Sequence, residues 1–157
     1  MLYIFDKDNT LIFSYPSRPA QMTTEQVLLS GVVEKCRELR RDGNILAIAS
    51  NQGGIASNKV SLDSVEAMMS QVANWISASA YRFCPHSSRV NECDCRKPLP
   101  GMILSLMAEF DAQPENVVFV GDADGDKRAA EAAGIKFIWA TEFFGWPENF
   151  NTILEEN

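Results

Sequence analysis

The strongest constraint on the fold is a set of short, continuously apolar segments separated by longer amphipathic ones. The clearest are LYIFD (2–6), ILAIAS (45–50) and VVFVGD (117–122), and KFIWA (136–140) follows the same rule. A strand that is apolar on both faces has to be covered on both faces, as in a parallel sheet between two layers of helices. YRFC (81–84) is a weaker candidate for a fifth strand.

The segments between these strands have the apolar spacing of helices. The clearest stripe runs from Val65 to Ile76, and Ser61 before it is a suitable N-cap. Further helices are expected from about residue 30 to 43, after Pro100, at 125–133 and in the tail from Pro147, with residues 11–29 mostly in a loop. Alternating strands and helices predict βαβ units. We therefore expect one α/β domain over residues 1–157, a three-layer Rossmann-like parallel sheet with helices on both faces.

The three strongest strands each end on a polar residue, namely Asp6, Ser50 and Asp122. In an open α/β sheet, ligands bind at the edge formed by the carboxyl ends of the strands. We therefore expect these three side chains to line one site, although they are far apart in the sequence.

Acidic residues dominate this predicted site. Asp6 and Asp8 follow the first strand, whereas Asp122 ends another and Asp126 lies one helical turn beyond it. An isolated pair of acids commonly does no more than solvate a turn, but carboxylates from two loops suit a hard cation such as Mg²⁺, which also takes phosphate oxygens. Asp6 is then placed to attack phosphorus, and Asp8 to protonate the leaving oxygen and later activate water.

The segment ASNQGGIA (49–56) is a candidate phosphate-binding loop. Ser50 offers a hydroxyl, and the backbone N–H groups of residues 51–54 can approach an anion closely because glycine has no side chain. Lys97 is a candidate to neutralise the phosphoryl oxygens. The alternative interpretations are an ordinary turn and a surface lysine.

Three of the four cysteines and the single histidine fall within CPHSSRVNECDC (84–95). Four thiolate and imidazole ligands would complete a tetrahedral Zn²⁺ site, so we expect a structural zinc that orders this loop rather than mobile thiols. The expected ligands are Cys84, His86, Cys93 and Cys95. Cys36 lies on an apolar helical stripe and is expected in the core.

The chain contains, in order, the segments DKDNT, SNQGGIA, RKPLPGM and VGDADGD. This order resembles the four motifs of the haloacid dehalogenase superfamily of phosphatases, subfamily IIIA, over residues 2 to about 140. The stretch CPH…CDCRKPLPGM is similar to the zinc-bearing branch with the heptose bisphosphate phosphatases and the histidinol-phosphate phosphatase domain. The resemblance implies a catalytic magnesium ion and a zinc-binding loop beside the active site.

The resemblance also implies a role for each matching residue. Asp6 is implied as the nucleophile and Asp8 as the general acid and base, with Asp6, the backbone carbonyl of Asp8 and Asp122 around magnesium. Ser50 and Lys97 are implied as phosphate ligands, Arg96 as a substrate-contacting arginine and Asp126 as the second acid of the fourth motif. Asn51 is a further candidate phosphate ligand, through its backbone N–H in the glycine-containing loop.

Two positions depart from the usual pattern. Asn9 stands where glycine is commonest, although asparagine also tolerates the left-handed conformation. Gly53 replaces a serine of the narrower branch, which leaves the substrate open.

The spacing between motifs leaves no room for a separate cap domain. Only 41 residues separate Asp8 from Ser50 and 46 separate Ser50 from Lys97, and helices, strands and the cysteine loop occupy much of both. We expect an open pocket that is roofed by residues 11–24 and by the zinc-bound loop.

The net charge of −7 disfavours a nucleic-acid or anionic-membrane binder, and no segment predicts a membrane span. We expect a cytoplasmic, monomeric, magnesium-dependent phosphomonoesterase for a small metabolite, a sugar bisphosphate such as heptose bisphosphate. The alternative is a polynucleotide 3′-phosphatase, with Tyr81, Phe143, Phe144 and Trp146 as candidates for base stacking. A noncatalytic phospho-ligand or partner-binding module is disfavoured because buried charges without a task are costly.

Overall fold

A computed structural model describes residues 1–15, 18–89 and 93–150, and this part of the chain contains one five-stranded sheet. The strands are β1 (Leu2–Phe5), β2 (Ile45–Asn51), β3 (Ala80–Cys84), β4 (Val117–Gly121) and β5 (Lys136–Trp139). All neighbouring pairs are parallel, and the order across the sheet is β3-β2-β1-β4-β5. All five predicted strands are confirmed.

Helices cover both faces of the sheet. They are α1 (Val32–Arg41), α2 (Leu62–Ile76), α3 (Gly101–Glu109), α4 (Asp124–Ala133) and α5 (Ala140–Phe144), with short 3₁₀ turns at Thr23–Glu25 and Pro114–Asn116. Buried residues of α1, α2 and α5 form one core cluster with the sheet, and those of α3 and α4 form a second. The predicted three-layer architecture is therefore confirmed.

The alternation along β1 explains why the strand is apolar throughout. Leu2 and Ile4 are buried beneath α3 and α4, whereas Phe5 is buried on the opposite face against α1 and α2. Successive side chains of a strand point to opposite faces, so a strand between two helical layers needs apolar residues at every position.

The start of α2 also follows from the sequence. The Ser61 side chain accepts a hydrogen bond from the backbone N–H of Ser64 at 3.1 Å, as expected of an N-cap. Val65, Met69 and Val72 then face the core and are fully buried.

Residues 140–144 differ from the sequence-based expectation, which extended the last strand to residue 140 and placed no helix after it. The chain turns into α5 because Phe143 and Phe144 pack on Phe5, with ring centroids 5.7 and 6.2 Å apart. A local apolar pattern cannot reveal this long-range aromatic contact. The predicted tail helix from Pro147 falls largely on residues 151–157, outside the described residues.

The loop between β1 and α1 has little regular structure, as predicted. Isolated bridges join Asp8 to Ile12, Ile12 to Leu28, and Tyr15 to Arg18. Among the described residues, no helix is long and apolar enough to cross a membrane.

Candidate active site and cysteine cluster

The sheet register brings the two predicted acidic strand ends together. Phe5 pairs with Ile48 of β2 and Val120 of β4, and the next residue, Asp6, donates its N–H to the Val120 carbonyl at 2.9 Å. Asp6 therefore lies at the carboxyl edge of the central strand, beside the end of β4 that leads into Asp122.

Three carboxylates meet at this edge. Oxygens of Asp6, Asp122 and Asp126 lie within 4.8 Å of one another. Asp126 is only 3% exposed, and its Oδ2 accepts the backbone N–H groups of Asp122 and Ala123, both at 3.1 Å. Asp126 thus fixes the turn that carries Asp122 and binds the N–H of Ala123, the N-cap residue of α4.

Lys97 joins two of these carboxylates. Its Nζ is 2.7 Å from Asp6 Oδ1 and 2.7 Å from Asp126 Oδ1, and it donates to the Ala49 carbonyl at 3.0 Å. The residue is only 7% exposed. Burial alone would lower the pKa of Lys97, but the two carboxylates outweigh it and hold that pKa above its ordinary value. Lys97 is therefore a fixed cation at the centre of the site.

Burial raises the pKa of Asp6 well above its ordinary value; Lys97 opposes this effect and the neighbouring carboxylates add to it. Burial likewise raises the pKa of Asp122. Two carboxylates crowded in a dry site repel each other unless a cation joins them. The donor set therefore fits Mg²⁺, which binds through one or two carboxylates and fills its other positions with water and phosphate oxygens.

Asn51 positions the backbone that carries Lys97. The Asn51 amide donates to the Lys97 carbonyl at 3.1 Å, and its oxygen accepts the Lys97 N–H at 3.0 Å. This reciprocal pair ties the end of β2 to a residue that is 46 positions away. Asn51 was predicted as a phosphate ligand, and its side chain is engaged here in holding the lysine backbone.

Gln52 links the predicted phosphate loop to Asp8. Its Nε2 donates to Ser50 Oγ at 2.8 Å and to Asp8 Oδ2 at 3.0 Å. Only the backbone N–H of residue 52 was predicted to take part in the site, so this side chain was missed. The signal that could have identified it was a polar residue two positions after a predicted phosphate-binding serine.

The turn after β1 explains why asparagine can occupy position 9, where glycine is commonest. Asn9 has a φ of +59°, in the left-handed region, and its Oδ1 accepts the Ser14 N–H at 2.8 Å. The side chain therefore stabilises the unusual backbone conformation. Thr10, also missed from the sequence, is fully buried and donates to Asp122 Oδ1 at 3.4 Å.

The predicted zinc ligands form a second cluster, in which one ligand atom of each residue lies within 4.8 Å of the others. Cys84 Sγ is 3.3 Å from His86 Nδ1, 3.8 Å from Cys93 Sγ and 3.0 Å from Cys95 Sγ. Three sulfurs and one imidazole nitrogen grouped in this way are a donor set suited to tetrahedral Zn²⁺. Residues 90–92 of this loop are outside the described residues.

Cys36 lies apart from this cluster, as predicted. It lies on the core face of α1 and is fully buried, and burial raises the pKa of its thiol to about 12. The thiol therefore stays protonated and acts as a small apolar side chain.

Arg96 joins the cysteine cluster to the phosphate loop. Its Nη1 donates to the His86 carbonyl at 3.0 Å. A Cβ at Gly53 would lie 3.0 Å from the same nitrogen and 3.2 Å from the same carbonyl oxygen. Because glycine has no side chain, position 53 leaves room for the Arg96 guanidinium, which is a physical reason for glycine there.

A family model and several named proteins match most of this chain. The family model described as polynucleotide kinase 3 phosphatase matches residues 1–149. The D-glycero-β-D-manno-heptose-1,7-bisphosphate 7-phosphatase of Pseudomonas putida is 34% identical over 139 residues, covering 85% of this chain and 78% of that protein. The protein of the same name from Haemophilus influenzae is 30% identical over 145 residues, covering 83% and 76%.

Solved structures share the fold. The D,D-heptose 1,7-bisphosphate phosphatase of B. bronchiseptica, crystallised with magnesium and phosphate, has a TM-score of 0.81 at 23% identity over 99% of both chains. Fold, acidic edge and relatives together define a phosphatase of the haloacid dehalogenase superfamily, which confirms the resemblance seen in the motifs. Within that class, the chain belongs to the polynucleotide kinase 3 phosphatase family.

Replacing Gly121 with alanine tests how tightly Asp126 has to be held. The added Cβ would lie 2.5–2.7 Å from Asp126 side-chain atoms, so this side chain has to shift and its ion pair with Lys97 is disturbed. We expect the free energy of unfolding in urea to fall by about 1–3 kcal/mol. Phosphatase kcat should fall by ~100-fold because the site is misplaced.

Gly125→Ala is the matched control for this substitution. A Cβ at Gly125 meets nothing closer than 3.9 Å, so stability and turnover should stay near those of the parent protein. Normal turnover of Gly121→Ala, or an equal loss in both variants, would contradict the role given to Asp126.

Metal analysis tests the cysteine cluster. Protein purified in reducing buffer without chelator should carry about one zinc ion per chain, because the four ligands close a tetrahedron. Cys95→Ser should lose most of the zinc, whereas the control Cys36→Ser should keep it. A parent protein without zinc, or a Cys95→Ser variant that retains it, would refute this assignment.

Proposed function

We propose that the chain is a magnesium-dependent phosphomonoesterase in which Asp6 accepts the phosphoryl group of a small phosphorylated sugar. The observation that carries this proposal is the position of Asp6. Its buried carboxylate lies at the carboxyl edge of the central strand, 2.7 Å from the Lys97 ammonium and next to Asp122. A nucleophilic carboxylate needs such a cationic setting to approach an anionic phosphate ester.

The first step transfers the phosphoryl group to Asp6. Because Lys97 holds Oδ1, Oδ2 is assigned as the attacking oxygen; it bonds to phosphorus while the bond from phosphorus to the sugar oxygen breaks. Asp8 gives its proton to the departing oxygen. Magnesium, held by Asp6, the backbone carbonyl of Asp8 and Asp122, would neutralise the charges of the carboxylates and the phosphate.

The second step releases inorganic phosphate. Asp8, now ionised, takes a proton from a water molecule, whose oxygen bonds to phosphorus as the bond to Asp6 breaks. The Asp6 carboxylate and the protonated Asp8 are thereby regenerated. Ser50 holds a phosphoryl oxygen through both steps, and Arg96 at the rim contacts the rest of the substrate. The Lys97 ammonium, whose three donors are taken by Asp6, Asp126 and the Ala49 carbonyl, contributes its positive charge beside the phosphoryl group.

Similarity to named proteins supports a sugar bisphosphate as the substrate, because the relatives that match most of this chain are heptose-1,7-bisphosphate 7-phosphatases. The net charge of −7 suits a small substrate better than a long polyanion. We further propose a monomer located in the cytoplasm, where thiols remain reduced and available to bind zinc.

The second candidate substrate is the 3′-phosphate end of a polynucleotide, which the description of the matching family favours. The aromatic side chains argue against it. Phe143 and Phe144 pack on Phe5, Trp146 stacks on Phe144 at 4.7 Å, and Tyr81 donates to Glu66 at 2.8 Å. These rings are engaged within the protein and do not form a platform for stacking bases.

Asp6→Asn should abolish phosphate release while the fold is retained, because an amide is not a competent nucleophile. We expect turnover to fall by at least ~1,000-fold, measured by phosphate release with magnesium present. The control is Asp124→Asn, whose side chain is 79% exposed and should not affect turnover. Near-normal turnover of Asp6→Asn would exclude the proposed nucleophile.

A substrate comparison distinguishes the two candidates. We expect kcat/KM for heptose 1,7-bisphosphate to exceed that for a 3′-phosphorylated oligonucleotide by at least about tenfold, because the four candidate rings are engaged within the protein and are not free to stack on bases. Both substrates should be assayed at one salt concentration, with Asp6→Asn as the blank. The reverse ranking would favour the polynucleotide substrate.

A further inference from the structure

Both oxygens of the Asp8 carboxylate are held by side chains that the motifs do not assign. Lys7 Nζ lies 3.3 Å from Oδ1, and Gln52 Nε2 donates to Oδ2 at 3.0 Å. The Asp8 carboxylate is thus bound from two sides, by Lys7 in the turn after β1 and by Gln52 in the loop after β2. We call Lys7 and Gln52 the Asp8 clamp.

Lys7 is an unusual member of this clamp because it is only 1% exposed. A buried ammonium is costly unless its hydrogen bonds are satisfied. Besides Asp8, Lys7 donates to Gln26 Oε1 at 3.1 Å. The Gln26 amide in turn donates to the Met68 carbonyl at 3.0 Å and to Gln71 Oε1 at 2.8 Å, both on α2. Lys7 is therefore anchored through Gln26 to a rigid helix.

Gln52 is held equally firmly from the other side. Its backbone N–H donates to the Cys84 carbonyl at the end of β3 at 2.7 Å, and its side chain also donates to Ser50 Oγ at 2.8 Å. The amide is therefore oriented by the sheet before any substrate binds. Fixed donors of this kind hold a reacting group in place without reorganisation during the reaction.

We propose that Lys7 and Gln52 are positioning residues that aim the Asp8 carboxyl group at the leaving-group oxygen. This inference rests on the proposed function, in which Asp8 donates a proton to that oxygen. Each carboxyl oxygen has more than one acceptor site, so either can hold a clamp donor and still face the substrate. The clamp acts through Asp8, and neither residue is required to touch the phosphoryl group.

Leaving-group dependence tests this role. The test variants are Gln52→Met and Lys7→Met, with Gln113→Met and Lys136→Met as exposed controls. Two substrates are compared by kcat/KM, which reports the step in which the leaving group departs. One is an alkyl phosphate that needs a proton on departure, and the other is 2,4-dinitrophenyl phosphate, whose phenolate leaves without one.

For the alkyl phosphate, we expect each test variant to lose about 10- to 100-fold in kcat/KM, a part of what general acid catalysis contributes. For the dinitrophenyl ester, the value should stay within about threefold of the parent protein. In an Asp8→Asn background, adding Gln52→Met should cause little further loss, because both changes remove one function. The controls should match the parent protein on both substrates.

Equal losses on the two substrates would overturn the proposal, since they indicate a general structural defect or a contact with the phosphoryl group. Unchanged values for both would also overturn it. Circular dichroism establishes whether each variant is folded. If Lys7→Met does not fold, the proposal is tested by Gln52→Met alone, since Gln52 is only half-buried. A parent protein inactive on every phosphate ester would refute the proposed function itself, which is a different result.

Discussion

The ion pair that Lys97 makes with Asp6 and Asp126 is the interaction on which the rest of the site depends. One ammonium, 2.7 Å from each carboxylate, joins the central strand, the start of α4 and the loop after the cysteine cluster. An isolated charge at such depth would be strongly destabilising, so each partner is retained by the others. The ends of three separate segments are thereby fixed relative to one another before a substrate enters.

The sequence predicted the components of this site better than their connections. Polar residues at the ends of buried strands pointed to Asp6, Ser50 and Asp122, because strand ends in a parallel sheet share one edge. The contacts of Lys7 and Gln52 could not be predicted in this way. Each depends on the side-chain direction of a residue in a turn, which no periodic pattern encodes.

The same distinction holds for the fold. The three central strands β1, β2 and β4 were the most predictable because each is apolar on both faces, as burial between two helical layers requires, whereas the edge strand β3 carries Arg82 and gave a weaker signal. Helix α5 was not predictable, because it forms where Phe143 and Phe144 pack on Phe5, which lies well over a hundred residues earlier in the chain. The cysteine cluster was predictable without knowledge of the fold, because three cysteines and one histidine within twelve residues indicate a metal site in any fold.

The central position of β1 in the sheet has a consequence for folding of the enzyme during its synthesis on the ribosome. Leu2 pairs with Ile45 on one side and with Val117 on the other, so the sheet has high contact order. A nascent chain can join β1 to β2 early, but one edge of β1 stays open until β4 has been synthesised. Asp122 and Asp126 follow β4 in the sequence, so catalytic competence arises only once α4 has been synthesised.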